Sequence, residues 1–144
     1  MLPPPTAPPP FTSVQATKGH RSYMEDEYLL STDGNFAAVY DGHGGASVSK
    51  YLRQNLYAQV FQAHLPTDEV CSQDAAVEAL RAAFKRVDDE VLQVRHWSYQ
   101  GSTAVAMVLH RDGQGRRSII TANVGDSRAV LSRRGRAVDL TQVH

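Results

Sequence analysis

Val48, Leu52, Leu56 and Val60 recur every fourth residue after a glycine-rich turn, while Arg53, Gln54 and Gln59 fall on other faces. That spacing predicts a helix with one apolar stripe, punctuated at its end by Pro66 and Thr67-Asp68. A second and stronger periodic run places Val77, Leu80, Phe84, Val87 and Val91 on one face, with Glu78, Arg81, Lys85 and Asp89 around them. In a single short helix this means packing on a core; a coiled coil needs more heptads. The remaining apolar runs predict strands. Phe11-Thr-Ser-Val-Gln15 is short and β-prone. Glu27 to Thr32 and Asn35 to Tyr40 flank Asp33-Gly34, a tight-hairpin dipeptide. Ser102 to Leu109 and Ser118 to Val124 flank the loop Asp112-Gly-Gln-Gly115, and Arg128 to Leu131 and Ala137 to Leu140 flank Arg133-Arg-Gly135. Strands, then two helices, then strands without βαβ alternation predict an α+β fold with antiparallel sheets.

Composition narrows the field by exclusion. The 144 residues fit one domain, with 15 basic and 15 acidic side chains. A nucleic-acid-binding chain usually carries a basic excess, so no nucleic-acid partner is expected. No window approaches a membrane span, and none is expected. Cys71 is the only cysteine, which excludes an internal disulfide and a Cys-based zinc site. It also fits a reducing compartment, cytoplasm or nucleus. Six of the seven prolines lie in residues 1–10. That segment reads as a disordered or polyproline tail, with docking to an SH3- or WW-type partner as the sharper alternative. The folded part is expected over 11–144. Seven arginines between Arg111 and Arg136 face only Asp112 and Asp126 within that stretch. They read as solvated strand ends or as an attractor of acidic phosphoproteins.

Three short stretches put acidic residues in turn-like settings: Arg21-Ser-Tyr-Met-Glu25-Asp26, Asp41-Gly42-His43-Gly44-Gly45 and Gly125-Asp126-Ser127-Arg128. If the flanking strands pair, Glu25, Asp41 and Asp126 can converge at one end of a sheet stack. Clustered carboxylates without cysteine suit Mg2+ or Mn2+, which take oxygen ligands and keep several waters. Glycines beside Asp41 let the backbone come close and a carbonyl join the ligands. Two such ions can hold a hydroxide for in-line attack on phosphorus. Arg21 then suits a bidentate phosphate clamp, and His43 a donor to the leaving alkoxide. Each piece alone has an ordinary reading: a turn for Asp41-Gly42 and Asp126, a solvated pair for Glu25-Asp26, a loop residue for His43. The combination points to phosphate ester hydrolysis.

Four stretches, in order, resemble the metal-dependent serine/threonine protein phosphatases of type 2C: Gly19 to Asp26, Phe36 to Gly45, Gly101-Ser-Thr-Ala104 and Ala122 to Ala129. The resemblance runs from about Thr12 to the last residue. It implies two stacked antiparallel β-sheets flanked by antiparallel helices, with metal ions at one end. By position it implies that Asp41 bridges two ions and that the Gly42 carbonyl joins one of them. Glu25 would ligate that same ion, with Asp26 helping directly or through water. Arg21 would hold the substrate phosphate, His43 would be the general acid, and Asp126 would match a further, weaker metal position. The implied substrate is phosphoserine or phosphothreonine in proteins.

The family pattern continues past this point, and its later half supplies two more aspartates to the metals. Near the end it has Asp before His and then Lys-Pro; here Val143 stands in place of that Asp. The expectation is therefore the N-terminal half of a truncated phosphatase sandwich, with little activity alone. The competing reading is a non-catalytic short isoform or fragment acting as a binding module.

Overall fold

Turn chemistry sets the first hairpin. In the computed structural model, which describes residues 11–61 and 71–143, Asp33 accepts from the Ser31 hydroxyl at 2.5 Å and from the Asn35 amide at 3.0 Å. Gly34 takes a positive φ of 70°. Strands β1 (Glu27–Leu30) and β2 (Phe36–Tyr40) therefore leave the turn antiparallel, Leu30 opposite Ala37 and Glu27 opposite Tyr40. The expected strand extensions through Thr32 and from Asn35 belong instead to this turn, because its side-chain bonds outcompete ladder pairing. The tail expected over residues 1–10, and the punctuation at Pro66, lie outside the described residues.

After β2 come the short β3 (Gly42–His43) and helix α1 (Ser47–Asn55), which widens into a π-wound segment at Leu56–Phe61. Helix α2 (Gln73–Leu92) starts on Ser72, whose hydroxyl accepts from the Ala75 amide at 3.1 Å. A short 3₁₀ turn (Arg95–Trp97) leads to β4 (Gly101–Ser102). The hairpins β5 (Ala104–Arg111) with β6 (Arg117–Val124), and β7 (Val130–Arg133) with β8 (Arg136–Asp139), follow. The main sheet runs β1-β2-β5-β6, antiparallel throughout; β3-β4 and β7-β8 form separate pairs.

Period-two alternation sends Phe36, Ala38 and Tyr40 from β2, and Ala104, Ala106 and Val108 from β5, to one buried face. Both helices cover it. The α2 stripe is one residue off the predicted centre: Ala76, Ala79, Leu80, Ala83 and Val87 are buried, while Val77, Phe84 and Val91 flank them half-buried. Small side chains on both surfaces let the helix come close to the sheet, so alanines take the middle and larger residues seal the margins. Buried His110 on β5 reaches the Cys71 carbonyl at 2.7 Å and ties the start of α2 to the sheet.

The opposite sheet face carries Tyr28, Val39 and Ile119 partly exposed. Over it, Thr121 donates to the Leu140 carbonyl at 2.8 Å and Asn123 to the Gln142 carbonyl at 2.7 Å. The fold is thus α+β with antiparallel sheets and two helices, the class read from the sequence. Phe11 to Gln15 is a correction: it is irregular chain, with Phe11 96% exposed. Its apolar residues find no strand edge to pair with and no core to enter.

Candidate functional site

The turn from Asp41 to Gly45 is laid antiparallel against Tyr99–Thr103. Asp41 accepts from the Thr103 amide at 2.9 Å and donates its own amide to Thr103 Oγ1 at 3.2 Å. Gly42 pairs with Ser102, and His43 with Gly101. A Cβ on Gly101 would lie 2.5 Å from His43 Nε2, so the imidazole rests on bare backbone. A Cβ on Gly44 would strike the Tyr99 carbonyl, and one on Gly45 would come 2.5 Å from Gln100 Oε1. The glycines here serve close approach.

That apposition also finishes helix α1. Its N-cap is Ala46, which has no side-chain acceptor. Gln100 supplies one from across the turn, its Oε1 taking the Ser47 amide at 3.1 Å. Glu25 takes the Gly45 amide on Oε1 at 2.5 Å. A carboxylate at this end of a helix is favoured by the exposed amides and the axial dipole.

Glu25 is held a second time, through its backbone. Ser49, fully buried on α1, donates its hydroxyl to the Glu25 carbonyl at 2.5 Å. Gly42 is buried beneath the same contact, and a Cβ there would strike the Glu25 carbonyl and lie 2.8 Å from Ser49 Oγ. The segment bearing Glu25 and Asp26 thus sits directly on the Asp41–Gly42 turn. Asp26 and Asp41 come within hydrogen-bonding reach of each other. Asp26 is solvent-exposed, and partial desolvation, then the Asp41 charge and its hydrogen bond, push its carboxyl above the usual carboxylate range, with Arg21 opposing and Glu25 adding. Arg21 is largely exposed, its Nη1 3.9 Å from Glu25 Oε2. His43 is exposed on the same turn.

Asp126 reaches this rim by a different route. Ser127 Oγ lies 2.5 Å from Thr103 Oγ1, and a Cβ on Gly125 would lie 2.7 Å from the Thr103 methyl. Thr103 therefore joins the Asp41 backbone to the turn that carries Asp126. The structure brings Glu25, Asp26 and Asp41 onto one turn, with Asp126 exposed on the neighbouring one. Among the described residues, however, no three His, Cys, Asp or Glu side chains gather as a metal-holding group. The expected meeting of Glu25, Asp41 and Asp126 around common ions therefore stands as a proposal. Sequence reasoning missed Ser49, Gln100 and the linking role of Thr103; only the Gly101-Ser-Thr-Ala104 stretch pointed toward the last.

The donors fit a hard divalent cation in kind. They are oxygen atoms: a close pair of carboxylates whose mutual repulsion a cation relieves, beside a glycine that admits close approach. Mg2+ and Mn2+ sites keep several waters, so a carboxylate pair, a carbonyl and solvent can make up the set.

The model of the family described as protein phosphatase 2C matches residues 12–144. "Protein phosphatase 2C 57" of Arabidopsis thaliana is 36% identical over 93% of this chain and 35% of its own length. The Ser-Thr phosphatase MsPP of Mycobacterium smegmatis, solved with cacodylate, is 28% identical with a TM-score of 0.61, covering 86% of this chain and 49% of that one. The catalytic domain of the phosphatase PstP, solved with 2 manganese ions, is 26% identical with a TM-score of 0.58, over 85% and 50%. The chain spans between about a third and a half of these proteins. With the family model matched along nearly its whole length, this chain belongs to the protein phosphatase 2C family.

Proposed function

We propose that this chain is the N-terminal part of a metal-dependent protein serine/threonine phosphatase domain that hydrolyses phosphoserine and phosphothreonine in proteins. The observation that carries the reading is the Asp26–Asp41 pair, held together because Ser49 and Gly42 seat the Glu25 backbone on the Asp41 turn. Asp41, the Gly42 carbonyl, Glu25 and Asp26 would hold two Mg2+ or Mn2+ ions, with Asp126 on the rim for a further, weaker one. Such ions supply Lewis acidity at phosphorus and lower the pKa of an attacking water. Arg21, exposed and only loosely paired with Glu25, is free to swing a two-pronged guanidinium onto the substrate phosphate. His43, exposed with its ring on Gly101, can hand a proton to the departing serine or threonine oxygen. From the sequence alone, we further propose that segment 1–10 is a disordered or polyproline tail, with SH3- or WW-type docking as the alternative, and that the chain works in the cytoplasm or nucleus. Separately, no described helix is long and apolar enough to cross a membrane.

A second reading is a metal-binding module without turnover. It is favoured by the absence, among the described residues, of a group of three His, Cys, Asp or Glu side chains placed to hold a metal. Mn2+ titration of the pure chain, followed by electron paramagnetic resonance, tests both. Binding that Asp41→Asn abolishes supports the site, and phosphopeptide turnover alongside it selects the enzyme. Mn2+ affinity identical in the parent and Asp41→Asn removes the site altogether.

A further inference from the structure

The β7-β8 hairpin ends in Arg133, Arg134 and Arg136, all exposed, with no acidic partner among the described residues. Several exposed cations elsewhere are matched, Arg53 with Glu27, Lys85 with Asp89, Arg86 with Glu90, Arg116 with Asp112, and Arg128 with Asp139 at this hairpin's own base, while Lys50, Arg95 and the cross-strand pair Arg111 and Arg117 are exposed without an acidic partner among the described residues. What sets the tip apart is the crowding of three unpaired arginines into one tight turn.

Two features of the tip work against the hairpin's own folding. Arg133 and Arg136 are direct cross-strand partners, a like-charge pairing that weakens a ladder. Between them Arg134 holds φ at 53° and Gly135 at 74°. Two consecutive positive φ values are what Asn-Gly adopts easily in a tight hairpin and what a long β-carbon-bearing side chain resists. The like-charge pairing recurs at Arg111 and Arg117, but among the described residues Arg134 alone, other than glycines, takes a positive φ. Bound anions would offset both the crowded charge and the strained turn.

The base of this arm is fixed at the candidate site. Ser127 contacts Thr103, which holds the Asp41 backbone, and the run from Ser127 to Arg133 spans at most about 20 Å fully extended. A polypeptide whose phosphoserine sits over Asp41 would therefore pass within reach of the tip with a segment a few residues away.

We propose that the Arg133–Arg136 tip is a docking arm for an acidic segment of the polypeptide substrate. The choice of a polypeptide rests on the phosphatase reading; the arm's preference for acidic side chains rests only on its geometry. Guanidinium groups suit this work because each can take a carboxylate through two parallel hydrogen bonds.

The test uses the 144-residue chain and a fluorescein-labelled Glu-rich peptide lacking phosphoserine, read by anisotropy at low and physiological salt. The variants are Arg134→Gly and the pair Arg133→Gln with Arg136→Gln. Both relieve local strain or repulsion, so thermal unfolding should stay level or rise. The expected result is that the double variant binds the peptide about tenfold more weakly, the loss of charge-assisted contacts, with a flatter salt dependence. Mn2+ binding should be unchanged. Equal peptide affinity in parent and variant overturns the proposal. So does a drop in thermal stability, which would make the arginines structural, and so does a single-stranded oligonucleotide that binds the tip more tightly than the peptide. Arginine-dependent peptide binding in a chain that shows no Mn2+ site would retain the arm and remove the phosphatase reading.

Discussion

Replacing Ser49 by alanine removes one oxygen from a fully buried position and should reach the proposed metal-holding turn without touching any carboxylate. The Ser49 hydroxyl is the donor to the Glu25 carbonyl, and its second contact, with Ala46 at 3.2 Å, is an ordinary back-bond within α1. Alanine leaves the Glu25 carbonyl facing a methyl group where bulk water does not enter. An acceptor stranded in this way costs about 1–3 kcal/mol. For a chain of this size that corresponds to a fall in Tm of about 3–9 °C, at about 3 °C per kcal/mol. The carbonyl can recover part of the loss by moving toward solvent. That movement carries Glu25 and Asp26 off the Asp41–Gly42 turn, so Mn2+ affinity should fall with stability. Thermal unfolding by circular dichroism and Mn2+ titration by paramagnetic resonance read the two effects separately. Ser47→Ala is the control: its side chain makes no hydrogen bond among the described residues, and such surface changes stay within about 0.5 kcal/mol. If S49A unfolds at the same temperature as S47A and binds Mn2+ as the parent does, Ser49 does not position Glu25.

Three further outcomes follow from the same contacts. Gly42→Ala drives a Cβ into the Glu25 carbonyl, an overpacking that costs about 1–3 kcal/mol, and it should abolish Mn2+ binding as read by the same titration; retained affinity would show that the Glu25 segment tolerates displacement. Gln100→Ala strips α1 of its acceptor across the turn and should cost about 1 kcal/mol in chemical denaturation, with Gln100→Glu recovering it; equal midpoints for all three would deny the capping role. Asp33 is held below its usual range, first by the Ser31 hydroxyl and then by the Asn35 amide, so its contribution is full above the unfolded carboxylate pKa of about 3.9 and is lost as pH falls through the depressed folded value. Asp33→Asn should therefore lower stability at neutral pH and flatten the acid limb of the stability curve below about pH 4; parallel curves for parent and variant would place the hairpin's acid sensitivity elsewhere.

How much of this was legible in the sequence depends on the range of the interaction concerned. The Asp33-Gly34 hairpin was readable because its bonds span two residues, and it competed successfully with strand pairing at Thr32 and Asn35. The helices were readable from period, but the α2 contact settled on Ala76, Ala79 and Ala83, since a stripe drawn through large side chains finds a helix's direction and not its closest approach. Phe11 to Gln15 had strand propensity and no partner, and propensity without an edge to pair with makes no strand.

The site divides along the same line. Arg21, Glu25, Asp26, Asp41, Gly42, His43 and Asp126 could be named because chemistry marks them: charge, a ring, or a glycine in a turn. Ser49, Gln100 and Thr103 carry no such mark, yet they decide whether the named residues meet. Each acts over more than twenty positions of chain: Ser49 on Glu25, Gln100 on Ser47, Thr103 on both Asp41 and Ser127. Together they make the Asp41–Gly45 turn a shared surface on which the Glu25 segment, the start of α1 and the Asp126 turn are stacked. A carboxylate pair whose partial desolvation and mutual charge push the Asp26 carboxyl upward could not persist on a loose loop, where the two segments would simply part. Its persistence requires the uncharged contacts beneath it, so the residues that hold the site together are the ones whose identity alone says least about chemistry.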